Sequence, residues 1–159
     1  MRIRSGLRFL PALFWMAVIY RFSATPGLRT VPLAQRMGLL PFDLSPALLN
    51  LLEWSLRKSA HLLSYGLLAL LLLWGFRGLW PRWRAAGWAL GIAVLYAVTD
   101  EWHQSLVPDR QGRWTDVLID TIGAATALWL AGRRAAQTHG GTTYGSQGSA
   151  GTLEPERRD

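Results

Sequence analysis

Lys58, His61 and Tyr65 fall at i, i+3 and i+7, so a helix would carry an ammonium, an imidazole and a phenol on one face. Those groups suit two tasks, holding an anion and moving a proton. Tyr96, Asp100 and His103 share a face of a second segment, with Glu101 and Gln104 close by, and Asp116, Asp120 and Gly123 share the face of a third segment. Arg110 and Arg113 lie in the short polar stretch between these last two groups. Carboxylates beside an imidazole can serve as general acid and base when burial tunes them. Glu101, His61 and Asp100 are the candidate catalytic groups, although the residue types leave open whether any reaction occurs. A purely structural role is the rival reading. Lys58 would then neutralise Asp100 or Asp120, and Arg110 would neutralise Asp116.

What positions these residues is a strongly segregated chain. Of its 159 residues 50% are hydrophobic, gathered in blocks between polar connections. A helix that crosses a membrane needs about 20 mostly apolar residues. Four segments approach that length, at about 7–22, 59–76, 85–104 and 116–132. The third and fourth reach it only if Asp100, Glu101 and Asp120 lie near the interface. The first segment is read as a retained helix, because no small-x-small cleavage site follows Tyr20. "SPALLNLLEWSLRK" reads as an amphipathic helix in the first long connection, with Ser45 as N-cap and Pro46 at the first helical position. The fold expected is all-α: a four-helix transmembrane bundle plus this short interfacial helix. Residues 135–159 read as a disordered cytoplasmic tail, being rich in Gly, Ser and Thr.

Charge sets the expected orientation. Arg2, Arg4, Arg8, Arg77, Arg82, Arg84, Arg133 and Arg134 collect on one side of the four segments, and the acids ahead of the tail collect on the other. Placing the purely basic side inside puts both termini in the cytoplasm and all three polar groups at the outer boundary. The net charge of +7 does not point to nucleic acid, because the basic residues form no folded basic face. Sixteen of the seventeen basic residues are arginine, and Lys58 is the only lysine. The chain has no cysteine, which excludes disulfides and thiolate metal sites. "DEWHQ" lacks the H-E-x-x-H spacing of a zinc site, so no metal and no cofactor are expected. A Mg²⁺ ion bridging to a phosphate is the lesser reading.

"KSAHLLSYGLLAL" resembles the K-x-x-H-x-x-x-Y-x-x-L block of the VanZ-like family. "TDEWHQSLVPDRQGRWTDVLIDTIGAATAL" resembles the family's D-E-x-x-Q, P-x-R and D-V-x-x-N-x-x-G blocks in order, and "RFSATPG" resembles its F-S-x-x-P segment. The resemblance covers about residues 7–134. It implies a small bacterial integral membrane protein, multi-pass in the inner membrane of the cell envelope. It also implies a link to antibiotic resistance, since the family's named member is associated with resistance to teicoplanin. It carries no defined reaction. Mapped by position, the implied site is Lys58, His61, Tyr65, Asp100, Glu101, Gln104, Pro108, Arg110, Asp116, Asp120 and Gly123. Asp120 stands where the family often has Asn. The partners expected are the lipid bilayer and an anionic lipid-linked envelope molecule that binds Lys58 and Arg110. An enzyme acting on a lipid head group, or a small proton-linked transporter or accessory subunit, are the alternatives. Oligomeric state is left open.

Overall fold

The computed structural model describes residues 6–25, 30–39, 44–108, 110 and 112–140. Among these the chain is built from helices. A 3-10 turn at Leu7–Phe9 leads into α1, Leu10–Ser23. Then come α2 (Thr30–Arg36), α3 (Pro46–Gly75), α4 (Arg82–Gln104) and α5 (Trp114–Gly140). Contacts concentrate among α3, α4 and α5, and α1 packs on the side of that trio.

The largest departure from expectation lies in α3. The amphipathic stretch is not a separate interfacial helix; it is the first three turns of one unbroken 30-residue helix. Ser45 caps it through its side chain, which accepts from the Leu48 N–H, and Pro46 opens it. No proline follows within it, and the first glycine is Gly66, so nothing stops the helix at Lys58. The element occupying the first connection is instead α2. It is pinned by the Val31 N–H, which donates to Glu53 Oε2 at 2.7 Å.

Among the described residues, α3 is the one helix that by length and composition alone can cross a membrane. α1 has 14 residues. At 1.5 Å per residue that is roughly 21 Å, short of a hydrocarbon core of about 30 Å. α4 and α5 are long enough at 23 and 27 residues, but both carry ionisable groups at each end.

The distribution of polarity is inverted relative to a water-soluble domain. Asp100, Glu101, Gln104, Asp116 and Asp120 are buried, while Leu13, Phe14, Leu63, Leu95, Trp102 and Ile122 are all exposed by more than half. An apolar exterior of that extent marks a surface meant for something other than water. Inside, Ala85, Ala89, Ala93 and Ala97 form a buried stripe along α4. Small side chains at every fourth position bring α4 close to its neighbours. The next position on that stripe is Glu101.

The two ends of the bundle differ. At one end the Phe9 ring lies against Gly75 and meets Phe76 edge-on at 5.0 Å. Arg8 donates to the Arg77 carbonyl and Arg82 to the Ala131 carbonyl. Trp80 packs against Phe76 and Trp88 there. That end is basic and aromatic. The acids converge at the other.

Candidate functional site

α3 and α5 run parallel, and the register between them assembles the acidic end. Lys58 forms an ion pair with Asp116. One turn on, His61 Nδ1 lies 3.2 Å from Asp120 Oδ1. A further turn on, the helices come into backbone contact at Gly123. A Cβ there would stand 2.9 Å from both Leu62 C and Leu62 Cα. Opposite, a Cβ on Gly66 would lie 3.3 Å from Gly123 O and 3.4 Å from Ala127 Cβ. The glycine crossing thus sets the helix separation that lets both pairs close.

α4 contributes the third wall. Gln104 is fully buried and acts as a hub. Its Nε2 donates to Asp100 Oδ2 at 3.0 Å and to Glu101 Oε1 at 3.3 Å. Its Oε1 accepts from Arg57 at 3.2 Å. Glu101 Oε2 also accepts from the Arg113 backbone N–H at 2.8 Å. This last bond requires the loop after α4 to fold back closely. Gly112 allows it: a Cβ there would run into the Glu101 carbonyl and stand 3.1 Å from Ser105 Cβ.

Arg110 closes the ring of helices. Its guanidinium donates to the Phe22 carbonyl at 2.9 Å and the Thr25 carbonyl at 3.2 Å, tying the loop to the end of α1. Burial, and after it the positive charge of Arg57, lowers its pKa. A guanidinium stays ionised regardless. Two further bonds fix α1 on the bundle, from Trp15 Nε1 to the Ser64 carbonyl at 2.9 Å and from Tyr96 OH to the Met16 carbonyl at 2.6 Å.

The polar residues expected at the site, Lys58, His61, Tyr65, Asp100, Glu101, Gln104, Arg110, Asp116 and Asp120, therefore gather at one end, but the pairs differ from those expected for a structural network. Lys58 meets Asp116 rather than Asp100 or Asp120, and Arg110 meets carbonyl oxygens rather than Asp116. Tyr65 is buried against Tyr96, with ring centroids 6.2 Å apart, and its hydroxyl lies near Asp100 but outside good hydrogen-bond geometry. One Asp100 oxygen, Oδ1, is buried in the same condition. His103 lies apart, its ring 4.7 Å from that of Tyr20 on α1. Arg57 joins the site without having been singled out by residue type and spacing, since it falls in the stretch read as an interfacial helix. The available signal was its place beside Lys58 and one turn before His61.

A family model described as VanZ/LLP1 matches residues 9–134. The chain belongs to the VanZ/LLP1 family. The match takes in every residue of the polar end described above. It also agrees with the apolar exterior: this is a VanZ-like membrane protein. No curated protein and no solved structure gives a significant match to the chain.

Proposed function

We propose that this VanZ-like chain crosses the bacterial inner membrane four times, through 7–22, 59–76, 85–104 and 116–132, with both termini in the cytoplasm. Its polar end then faces outward and takes the anionic head group of a lipid-linked envelope molecule. One observation carries this reading. Arg57 is bonded at 3.2 Å to the Gln104 hub that holds Asp100 and Glu101, and its buried Nε has no hydrogen-bond partner. A guanidinium with an unused donor suits a phosphate or carboxylate oxygen. Lys58, committed to Asp116, is then a support for the site more than its anion contact. Occupancy of an envelope lipid would bear on glycopeptide susceptibility, and the teicoplanin link implied by the resemblance belongs to this proposal.

Native mass spectrometry of the chain released from nanodiscs tests the reading. Wild type should retain an anionic lipid, Arg57→Gln should lose it, and Arg57→Lys should fall between. Equal retention in Arg57→Gln, with an unchanged melting temperature, would sink the idea. Because the chain lacks cysteine, Ser105→Cys tests the orientation. An impermeant maleimide should label it in intact spheroplasts.

The His61–Asp120 contact favours a second reading, an enzyme acting on the head group. His61 would take a proton from an attacking hydroxyl, and Asp120 would hold the imidazolium. His61→Gln should then keep the lipid and abolish its turnover.

A further inference from the structure

Three side chains from two helices bring ligand-capable atoms together at the centre of the polar end. The atoms of His61, Asp100 and Glu101 lie within 4.8 Å of one another. Asp100 and Glu101 are 4% and 5% exposed, so both carboxyl groups are withdrawn from solvent. They share a single neutral donor, Gln104 Nε2. Two adjacent carboxylates in a low-dielectric site repel strongly unless something of opposite charge lies between them. Lys58 is engaged by Asp116, Arg110 by carbonyl oxygens and Arg57 by Gln104 Oε1, so no cation bonds both carboxyl groups directly. Asp100 Oδ1 and the Tyr65 hydroxyl are both buried beside this gap, close enough to interact with each other but outside good hydrogen-bond geometry. A buried carboxylate oxygen served by at most one phenol hydrogen keeps lone pairs that a cation can use.

The surrounding bonds have the form of support for a metal site. His61 gives Nδ1 to Asp120, which leaves Nε2 as the ring's free nitrogen. A carboxylate behind a histidine in this way fixes the ring and raises its basicity toward a cation. Gln104 orients the Asp100 and Glu101 carboxyls together, and Arg57 in turn orients Gln104. Bonds of about 2.1 Å put neighbouring ligand atoms about 3 Å apart and opposed ones about 4.2 Å apart. Closing from 4.8 Å shortens each separation by about 0.6–1.8 Å, shared between two side chains, within reach of side-chain torsions.

We propose that His61, Asp100 and Glu101 bind one divalent cation of the Mn²⁺ or Zn²⁺ type, with Asp120 and Gln104 holding the ligands in place. One nitrogen and two carboxylate donors suit those ions better than Mg²⁺ or Ca²⁺, which favour all-oxygen sites. The ligands come from separate helices, which is why no local metal spacing announces them. The inference stands independently of the head-group reading, because it concerns a cation on His61, Asp100 and Glu101 rather than an anion on Arg57.

The full chain, treated with EDTA and reconstituted in nanodiscs, provides the test. Titrated with Mn²⁺ or Zn²⁺, wild type should bind about one ion per chain. Its melting temperature should rise by about 5 °C or more at a hundredfold excess over Kd. Pulsed EPR of the Mn²⁺ form should show coupling to one imidazole nitrogen. His61→Gln should remove that coupling, and Asp100→Asn should weaken binding at least tenfold. If wild type binds neither ion at millimolar concentration, Asp100 and Glu101 share a proton instead, and the proposal fails. It also fails if the imidazole coupling survives in His61→Gln, which would assign the nitrogen to His103 or His139. The wild-type titration decides the matter even if a variant does not fold.

Discussion

Replacing Gly123 by alanine should be strongly destabilising. The added Cβ would stand 2.9 Å from Leu62 C and Cα. It would also run into the Leu62 carbonyl oxygen, which lies closer still, so the α3 backbone must retreat by roughly 1 Å to reach ordinary van der Waals contact. Leu62 adjoins His61, whose Nδ1 is 3.2 Å from Asp120. The same retreat stretches that contact to about 4 Å, beyond hydrogen-bonding range. Overpacking costs about 1–3 kcal/mol and a lost charge-assisted hydrogen bond about 1.5–3 kcal/mol. Alanine's advantage inside a helix returns about 0.5–1 kcal/mol. The net loss is on the order of 3 kcal/mol, or roughly 150-fold in the folding equilibrium. Gly66→Ala makes the same chemical change on the facing helix. Its Cβ meets Gly123 O at 3.3 Å and Ala127 Cβ at 3.4 Å, so a few tenths of an ångström suffice. The helix-propensity gain then leaves Gly66→Ala within about 1 kcal/mol of wild type. Reversible unfolding in mixed micelles, followed by circular dichroism, measures both. If Gly123→Ala is no more destabilising than Gly66→Ala, the crossing does not set the helix separation and the reasoning is wrong.

Two other substitutions probe the polar end. Lys58→Met leaves the buried Asp116 without its cation and should cost about 3 kcal/mol, whereas Lys58→Met with Asp116→Leu should return to within about 1 kcal/mol of wild type; the same unfolding assay checks this, and a double variant no better than the single one contradicts it. Gln104→Glu removes the donor shared by Asp100 and Glu101 and adds a third carboxyl to a fully buried position. It should lower stability by about 3–5 kcal/mol, read as loss of monodisperse protein on size exclusion, and near-normal yield would show that the hub does not matter.

The helices were legible because apolar blocks and polar connections alternate sharply along the chain. The gathering of Lys58, His61, Asp100, Glu101, Asp116 and Asp120 was legible from helical spacing, which assigns residues to faces. Partner choice was not. Helical spacing fixes which way Lys58 points on α3, but the rotation and height of α5 beside it depend on how closely Gly66 and Gly123 let the backbones approach. That closeness selects Asp116 for Lys58 and Asp120 for His61. The unbroken run through Lys58 was hidden for another reason. Charged residues at 57 and 58 look like a membrane boundary, yet a boundary in polarity is no break in a helix. α2 was unreadable because it is seven residues long, contains Pro32 and depends on a hydrogen bond to distant Glu53.

The continuity of α3 has a mechanical meaning. A helix of 30 residues without an internal proline has no hinge, so it tilts and slides as one rod. Its first three turns contact α2 through Glu53, and its next two carry Arg57, Lys58 and His61. A push on α2 or on the Ser45 tip therefore arrives at the carboxylate cluster undamped, as a change in the distances to Gln104, Asp116 and Asp120. The lever arm from Pro46 to His61 is about 22 Å at 1.5 Å per residue.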